Sequence, residues 1–336
     1  MKKYPIILII VSILLSACGQ RTQTAADCTA DQRLFTSETL VSGSICVPED
    51  PQRIAFIDEL VGVAPVMGVG TVTRSVYFDL LSDDFPNVFT KSEIDAMMDL
   101  GHPRSINSEN MLLAEPDLII SSSGWRRANR QITSIAPTVV WNYSEELEPH
   151  DYFRAMGEVL NRSDEVETAI EELDGRMAAL QAEVGETNET FSVVRTMEET
   201  GEIQVFTTNN FGATQAALLG LTMPDKILTP AEASRAENAW WYPLSIEELD
   251  HIDADHIFLL RGWEPDVQDE FLANPLWQTL EAVQNDQVHF IDGEYWVRTH
   301  PLALHRIMDD LFVHVAEVDP ADVAPNPYAW TYEDID

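Results

Sequence analysis

The chain has 336 residues, of which 45% are hydrophobic, and its 20 Lys and Arg against 57 Asp and Glu give a formal net charge of −37 at pH 7. This acidity excludes a free-standing nucleic-acid binder, because such a protein needs a basic surface to neutralise phosphates. The hydrophobic content is that of a globular protein and excludes an acidic disordered chain. The length predicts two domains of ordinary size.

The N-terminus has the pattern of an export signal. Lys2 and Lys3 precede an apolar run over residues 6–15, which is too short to cross a membrane, since that takes about 20 apolar residues. The run ends in Leu-Ser-Ala-Cys, which resembles the bacterial lipobox, whose Cys is lipidated and becomes the first residue after cleavage. We therefore expect a signal peptide over 1–17, a lipid anchor on Cys18, and a location in the periplasm or on the outer face of the cytoplasmic membrane.

Two further cysteines, Cys28 and Cys46, follow the expected anchor. In an exported protein such a pair is most simply a disulfide, and two free thiols are the alternative. The segment 18–50 is therefore interpreted as a lipidated tether that includes a disulfide-closed loop.

Short apolar strands and helices alternate after the tether. The apolar runs at 52–58 and 118–120 are typical of strands that are buried on both faces of a parallel sheet. Asn107-Ser108-Glu109 provides capping residues and an acidic first turn for a helix. This alternation predicts an α/β lobe over 51–150.

A long helical connection is expected next. Residues 151–186 contain no Pro and carry apolar residues at spacings of three and four, which indicates helix. About 30 helical residues extend about 45 Å, enough to run along two lobes. The stretch 161–164 is where this helix is expected to bend or divide. A second lobe is predicted over 187–315 and an acidic C-terminal tail over 316–336.

An internal repeat relates the two predicted lobes. Residues 107–125 align with residues 245–263 at one constant offset, so that Glu109 matches Glu247 and Trp125 matches Trp263. Two lobes of similar construction explain this register. Two unrelated strand–helix units are the alternative.

Several short motifs follow one another in a characteristic order. They are Pro51-Gln52-Arg53-Ile54, Met67-Gly68-Val69-Gly70, Asp99-Leu100-Gly101-His102, Glu115-Pro116-Asp117-Leu118 and Asn274-Pro275-Leu276-Trp277. With them the chain resembles the substrate-binding lipoproteins of ABC importers for iron(III) siderophores, of the ferric-dicitrate and ferrichrome type, from about residue 28 to 315. The resemblance implies two Rossmann-like α/β lobes joined by a long backbone helix, the class III periplasmic binding protein fold.

Arginine and aromatic residues gather at the predicted carboxyl ends of the strands, where open α/β sheets bind ligands. Arginine can hold an anionic ferric complex through paired, charge-assisted hydrogen bonds, and Trp and Tyr offer flat apolar area. A surface ion pair is the alternative for each Arg. The predicted ligand-binding residues are Arg74, Tyr77, Trp125, Arg126, Arg127, Arg195, Trp240, Trp241, Tyr242, Arg261, Trp263, Trp296 and Arg298.

The resemblance also implies a docking role for Glu109 and Glu247, one on each lobe, against the membrane permease of the importer. Each Glu is near a predicted helix start, so simple electrostatics with the helix dipole is the alternative.

We therefore expect a monomeric solute-binding component of an ABC importer that captures a ferric siderophore and delivers it to the permease for iron uptake. Haem or cobalamin on the same fold is the first alternative, and a structural or adhesive lipoprotein without a ligand is a distant one. No enzyme is expected, because the sequence has neither a nucleophile elbow nor a phosphate-binding loop. Apart from the lipid no cofactor is expected, and no direct metal ligation, because the paired histidines are five residues apart.

Overall fold

Two α/β lobes and the helices that connect them make up the described chain. The computed structural model describes residues 23–57, 59–75, 89, 91–142, 149–197, 202–236, 238–260 and 270–328. No helix among these residues combines the length and the apolarity that crossing a membrane requires.

The N-terminal segment forms an antiparallel hairpin of strands β1 (Gln32–Thr36) and β2 (Ser44–Pro48). The predicted disulfide between Cys28 and Cys46 is present, with Cα atoms 5.3 Å apart. Leu40, in the turn of the hairpin, forms a β-bridge with Trp141 and so covers the edge of the first lobe's sheet. The Arg33 guanidinium donates to the main-chain carbonyls of Glu158 and Val159.

The first lobe is built on parallel strands. Strand β3 pairs with β6, β6 pairs with β7, and β4 pairs with β5. The two sets are joined because Val72 N donates to Ile54 O and Thr73 Oγ1 donates to Phe56 O. The elements are β3 (Ile54–Phe56), a 3-10 helix (Glu59–Val63), β4 (Thr73–Arg74), α1 (Lys91–Ala96), β5 (Met98–Asp99), α2 (Ser108–Leu113), β6 (Leu118–Ser122), α3 (Arg126–Ile132) and β7 (Thr138–Trp141).

The connection between the lobes is two helices rather than one. Helix α4 (Pro149–Leu160) ends at Asn161, whose φ of 56° lies in the left-handed region, which Asn tolerates better than most residues. Helix α5 (Ser163–Val184) then runs on to the second lobe. A Cβ on Gly157 would lie 2.7 Å from the Val166 side chain, so this glycine allows the two helices to approach closely.

The second lobe has a five-stranded sheet with the order β10-β9-β8-β11-β12. Strands β8, β11 and β12 are parallel, whereas β9 is antiparallel to both β8 and β10. The elements are β8 (Phe191–Thr196), β9 (Ile203–Phe206), α6 (Phe211–Leu218), α7 (Pro230–Ala236), β10 (Trp241–Leu244), a 3-10 helix (Ile246–His251), β11 (His256–Leu260), α8 (Glu281–Gln284), β12 (Val288–Ile291), α9 (Gly293–Trp296), α10 (Pro301–His314) and α11 (Pro320–Val323).

One hydrophobic core passes through both lobes. Alternate strand residues face opposite sides of each sheet, so that Ile54 and Phe56 join this shared core while Ala55 and Ile57 face a separate cluster under α2 and α3. In the second lobe, Phe258 and Leu260 likewise face the shared core, and Ile257 and Leu259 face another cluster. Helices α4, α5 and α10 also contribute side chains to the shared core.

The last described residues pack against the connecting helix. Arg176 of α5 is 4% exposed, forms an ion pair with Asp309 of α10 and donates from Nε to Ala324 O over 2.9 Å. Tyr328 packs its ring 5.3 Å from that of His305, and its hydroxyl is 3.4 Å from a Glu172 carboxylate oxygen. Residues 316–328 of the predicted tail are therefore part of the folded body.

Candidate functional site

The carboxyl ends of the strands in the first lobe bring Arg74 to one edge of its sheet. Arg74 is the last residue of β4, and its Nη2 lies 3.3 Å from a carboxylate oxygen of Asp99 on β5. Ser75 follows and donates from Oγ to Gly101 O over 3.0 Å. The Arg74 side chain is 30% exposed, so that its guanidinium keeps contact with solvent at this edge.

The exit of β6 carries a second group of predicted residues at the same edge. Trp125 ends a 3-10 helix that follows the strand, and its ring packs edge-on against His102 with centroids 6.4 Å apart. Arg126 and Arg127 open helix α3 and are both exposed. Asn129 holds this exit in place, because its side chain bonds both Ser121 Oγ and Ser122 O.

In the second lobe, Arg195 lies at the corresponding edge. It pairs in register with Leu260, the last residue of β11, which in turn pairs with Ile291, the last residue of β12. The Arg195 Nε donates to Gln204 Oε1 over 2.9 Å, and its guanidinium carbon lies 5.8 Å from the centre of the Phe206 ring. The guanidinium is thus held beside Gln204 and Phe206 at the strand end, and β11 next to it leads directly to residue 261.

The aromatic residues before and within β10 divide into two environments. Trp240 is partly exposed and packs 5.0 Å from the Phe211 ring at the start of α6, and Trp241 pairs with Phe206. Arg195 pairs with Gln204 of β9, and Trp241 pairs with Phe206, two residues further along that strand. Trp241 is therefore displaced from Arg195 by roughly 7 Å along the strand direction.

Tyr242 is buried in the second lobe. Its hydroxyl accepts a hydrogen bond from Leu228 N over 3.3 Å, and burial raises its pKa. Its side chain therefore contributes to the core in this conformation, while Trp240 and Trp241 retain solvent-facing surface.

Trp296 and Arg298 follow β12. Trp296 is fully buried, with its ring 4.7 Å from that of Phe258, so its indole faces the core rather than solvent. Arg298 is 7% exposed, and its backbone N–H donates to Tyr295 O. Tyr77, Arg261 and Trp263 lie outside the described residues.

The two lobes touch close to this point. The ring of His300, which caps helix α10, lies directly against Gly62 of the 3-10 helix that follows β3. A Cβ on Gly62 would come closer than 3.0 Å to three atoms of that ring. Arg298 is two residues from His300, and Thr73, beside Arg74, is bonded to the end of β3. Arg74, through Thr73 and β3, and Arg298, through its nearness to His300 in the sequence, are therefore both linked to this contact between the lobes.

The two glutamates expected to dock onto a partner occupy similar places. Glu109 lies in the first turn of α2, which Asn107 caps, and Glu247 lies in the first turn of the 3-10 helix that Ser245 caps. Both side chains are exposed. Cys18, the expected lipidation site, lies outside the described residues.

Four of the described histidines, His256, His289, His300 and His305, are buried in the fold. His256 Nδ1 is 3.0 Å from His289 Nε2, and the ring of His289 stacks on that of His314 with centroids 4.5 Å apart. Burial, with the nearby His314 and His256, lowers the pKa of His289 to about 3. In the part of the chain that the structure describes, no three His, Cys, Asp or Glu side chains form a group that could hold a metal ion.

Three residues outside the predicted ligand-binding set also shape the second half of the site. Phe211, Asn210 and His300 position the aromatic pair, the start of α6 and the contact between the lobes. Asn210 immediately precedes α6 and caps it, and Asn is a preferred capping residue, so only this contact follows from a local sequence pattern. The other contacts join residues that are distant along the chain.

Comparison with known proteins decides the family. The model of the periplasmic binding protein family matches residues 54–295. The chain belongs to this family. Membership in the periplasmic binding protein family confirms the resemblance stated from the sequence and makes the chain an exported protein.

Curated relatives of this periplasmic binding protein align over most of its length. The Fe(3+)-citrate-binding protein of Bacillus subtilis is 26% identical over 309 residues, covering 87% of this chain and 89% of that protein. The iron(3+)-hydroxamate-binding protein of the same organism is 23% identical over 299 residues, covering 86% and 90%. Both relatives are named as binding proteins rather than enzymes.

Solved structures support the predicted fold class. Staphylococcus aureus SirA in complex with staphyloferrin B superposes with a TM-score of 0.66 at 22% identity, covering 83% of this chain and 97% of that one. The petrobactin-binding protein of Bacillus subtilis superposes with a TM-score of 0.69 at 16% identity, covering 84% and 98%. The two-lobed fold with a helical connection, predicted from the sequence, is therefore confirmed.

Proposed function

We propose that this chain is the extracytoplasmic solute-binding component of an ABC importer and that it binds an anionic ferric siderophore between its two lobes. The observation that carries the proposal is the placement of arginines at the strand ends of both sheets, with Arg74 in one lobe and Arg195 in the other. Trp125 and Trp240, both partly exposed, accompany them. A negatively charged chain thus places some of its few cations where its fold family binds ligands.

Curated relatives support the ligand class. Those named above bind ferric citrate and ferric hydroxamates, and both complexes coordinate iron through oxygen. Arginine suits such ligands because its planar guanidinium can donate two parallel hydrogen bonds to one carboxylate or catecholate.

Quenching of tryptophan fluorescence by a panel of ferric complexes tests the proposal. The panel contains ferric citrate, ferrichrome, a ferric catecholate and, as competitors, haem and cobalamin. We expect saturable one-to-one binding of at least one ferric complex. Preferential binding of haem or cobalamin, or no binding at all, would refute the siderophore assignment.

The arginines are tested with a matched pair of variants. Arg195→Ala combined with Arg261→Ala is expected to weaken binding at least tenfold, because each lost charge-assisted hydrogen bond contributes about 1.5–3 kcal/mol. Arg154→Ala is the control, since Arg154 forms an exposed ion pair with Glu167 on the connecting helices. Equal affinity in all three proteins would contradict the proposed role of the strand ends.

We further propose that Glu109 and Glu247 dock onto basic residues of the permease and that Cys18 carries the lipid. A Glu109→Arg, Glu247→Arg protein should bind its ligand normally and fail in import. Normal import by that protein would refute docking. The intact mass of the membrane-extracted protein should equal that of the chain from Cys18 plus the lipid. The elution volume of the protein on gel filtration should correspond to a monomer.

A further inference from the structure

The Trp296 indole joins three elements of the second lobe. Its ring packs on Phe258 of β11 and lies against Gly212 of α6, where any Cβ would overlap ring atoms. Its Nε1–H donates to Asp310 Oδ2 of α10 over 2.8 Å. A buried indole that packs against two elements and is hydrogen-bonded at its edge to a third has little freedom to reorient.

The main chain of the same residue is tied to the start of α6. Asn210 Nδ2 donates to Trp296 O over 2.9 Å, and Asn210 Oδ1 accepts from Ala213 N over 3.0 Å to cap that helix. Phe211, the first residue of α6, packs on Trp240, and Arg298 follows Trp296 by two residues. Two candidate ligand contacts, Trp240 and Arg298, therefore depend on where Trp296 is held.

Asp310 is the acidic partner that holds the indole. It is 8% exposed, and burial raises its pKa to about 6, although Arg306 and the Trp296 bond oppose that rise. Arg306 lies one helical turn away with an N–O distance of 3.8 Å, and neighbouring Asp309 is engaged by Arg176 and Asn326. The remaining titratable groups around this site are Asp292, Tyr295, His314, Glu317 and Asp319.

We propose that Asp310 is a positioning residue for the ligand site: through the Trp296 indole it fixes Arg298 and the Phe211–Trp240 pair, so that protonation of its carboxyl group weakens ligand binding. A carboxylate accepts a short, charge-assisted hydrogen bond from the indole, whereas a protonated carboxyl group accepts a weaker one. The proposal rests on the proposed function, because it assumes that the ligand contacts these residues.

The first test measures affinity by fluorescence quenching at pH 7.5 and pH 5.0, with the ferric complex that the wild type binds most tightly. We expect the wild-type affinity to fall about three- to tenfold at pH 5.0. Asp310→Asn should bind more weakly at pH 7.5 and change little with pH. Asp322→Asn, which makes the same charge change on an exposed residue of α11, should follow the wild type. An unchanged pH profile in Asp310→Asn would overturn the proposal.

A second variant, Trp296→Phe, tests the same link in case Asp310→Asn does not fold. Trp296→Phe keeps an aromatic ring against Phe258 and removes the N–H donor together with part of the ring volume, so it should reproduce the weak, pH-independent binding. Trp277→Phe is its control, because Trp277 is equally buried but packs on Phe271 in a different cluster. Wild-type binding by Trp296→Phe would also overturn the proposal.

A ligand-free measurement separates this inference from the proposed function. In protein labelled with ¹⁵N-tryptophan, the Trp296 indole signal, assigned by its loss in Trp296→Phe, should shift with a midpoint near pH 6. The shift should vanish in Asp310→Asn. If no ferric complex binds the wild type, the proposed function fails and this titration still decides whether Asp310 controls Trp296. An indole signal that is constant between pH 5.0 and 7.5 would refute that control.

Discussion

Asp117 and Asp255 hold the same position in the two lobes. Asp117 accepts hydrogen bonds from the backbone N–H groups of Gln52 and Arg53 before β3, over 2.8 and 3.0 Å. Asp255 accepts from Thr190 N over 2.7 Å immediately before β8. Asp117 immediately precedes β6, which pairs with β3, and Asp255 immediately precedes β11, which pairs with β8. In both lobes the aspartate accepts a hydrogen bond from a residue that stands 65 positions earlier in the chain, just before the paired strand. The internal repeat in the sequence therefore corresponds to the same aspartate-to-backbone hydrogen bond in both lobes.

The matched aspartates should have matched effects on stability. Asp117→Ala and Asp255→Ala are each expected to lower the free energy of unfolding by about 1–2 kcal/mol, because each removes hydrogen bonds to a charged acceptor near the surface. Asp225→Ala, at an exposed position, should change it little. Urea unfolding measures all three. A large loss in one aspartate variant and none in the other would contradict the equivalence of the lobes.

The same contact predicts a pH dependence. The Thr190 hydrogen bond lowers the pKa of Asp255 below its ordinary value of 3.8. The stability that Asp255 contributes is therefore present above about pH 4 and is lost as the pH falls through the lowered pKa. Asp255→Ala should consequently differ most from the wild type at neutral pH and converge with it in strong acid.

The contact between the lobes has no room for an added methyl group. Gly62→Ala should lower the free energy of unfolding by about 1–3 kcal/mol, because the buried His300 ring cannot move away. Gly175→Ala is the control: no atom lies within 4 Å of its added Cβ, and in the interior of α5 alanine should stabilise by about 0.5–1 kcal/mol. Thermal unfolding compares the two. Gly62→Ala with wild-type stability would contradict the expected clash with the His300 ring.

The buried Arg176 should contribute far more than an exposed arginine. Arg176→Met leaves Asp309 charged and poorly paired in the protein interior, for an expected loss of about 3–5 kcal/mol. Adding Asp309→Leu should recover most of that loss, because both charges are then gone. Arg154→Met, which removes an exposed ion pair, should unfold like the wild type in urea. Similar losses in Arg176→Met and Arg154→Met would contradict the burial of this pair.

The stacked histidines should make the protein less stable in acid. His289 has a folded pKa of about 3 against an ordinary value of 6.5, so the stability of its neutral form is complete above pH 6.5 and is lost as the pH falls towards 3. At pH 5 the loss is about 2 kcal/mol for this residue. His289→Gln should therefore lose less stability between pH 7.5 and pH 5.0 than the wild type, measured by urea unfolding. An identical pH dependence in both proteins would refute this.

The sequence predicted the features that are local or periodic. The apolar run that contains Ile54 and Phe56 predicted a strand buried on both faces, and the cysteine pair predicted the disulfide. The constant offset between the repeats predicted two lobes of similar construction. The register of β6 and β11, which places Ile119 and Ile257 in equivalent strands, agrees with that offset.

Features that depend on distant residues could not be predicted. The break at Asn161 is an exception, because it falls in the stretch 161–164 where the sequence predicts a bend or division, and only the identity of the left-handed residue was not predicted. Trp296 follows a strand in the manner of a ligand contact, yet its indole turns inward because Gly212, 84 residues earlier, leaves space for the ring. The packing of residues 316–328 depends likewise on the distant Arg176.

The hairpin that covers β7 has a consequence for aggregation. An uncovered edge strand offers free N–H and C=O groups to strands of other molecules. Val41 N already donates to Val140 O, and Asn142 N donates to Thr39 O, so this edge is occupied by the protein's own chain. Because the disulfide fixes one end of that cover, we expect formation of the Cys28–Cys46 bond to protect the first lobe from strand addition during folding after export.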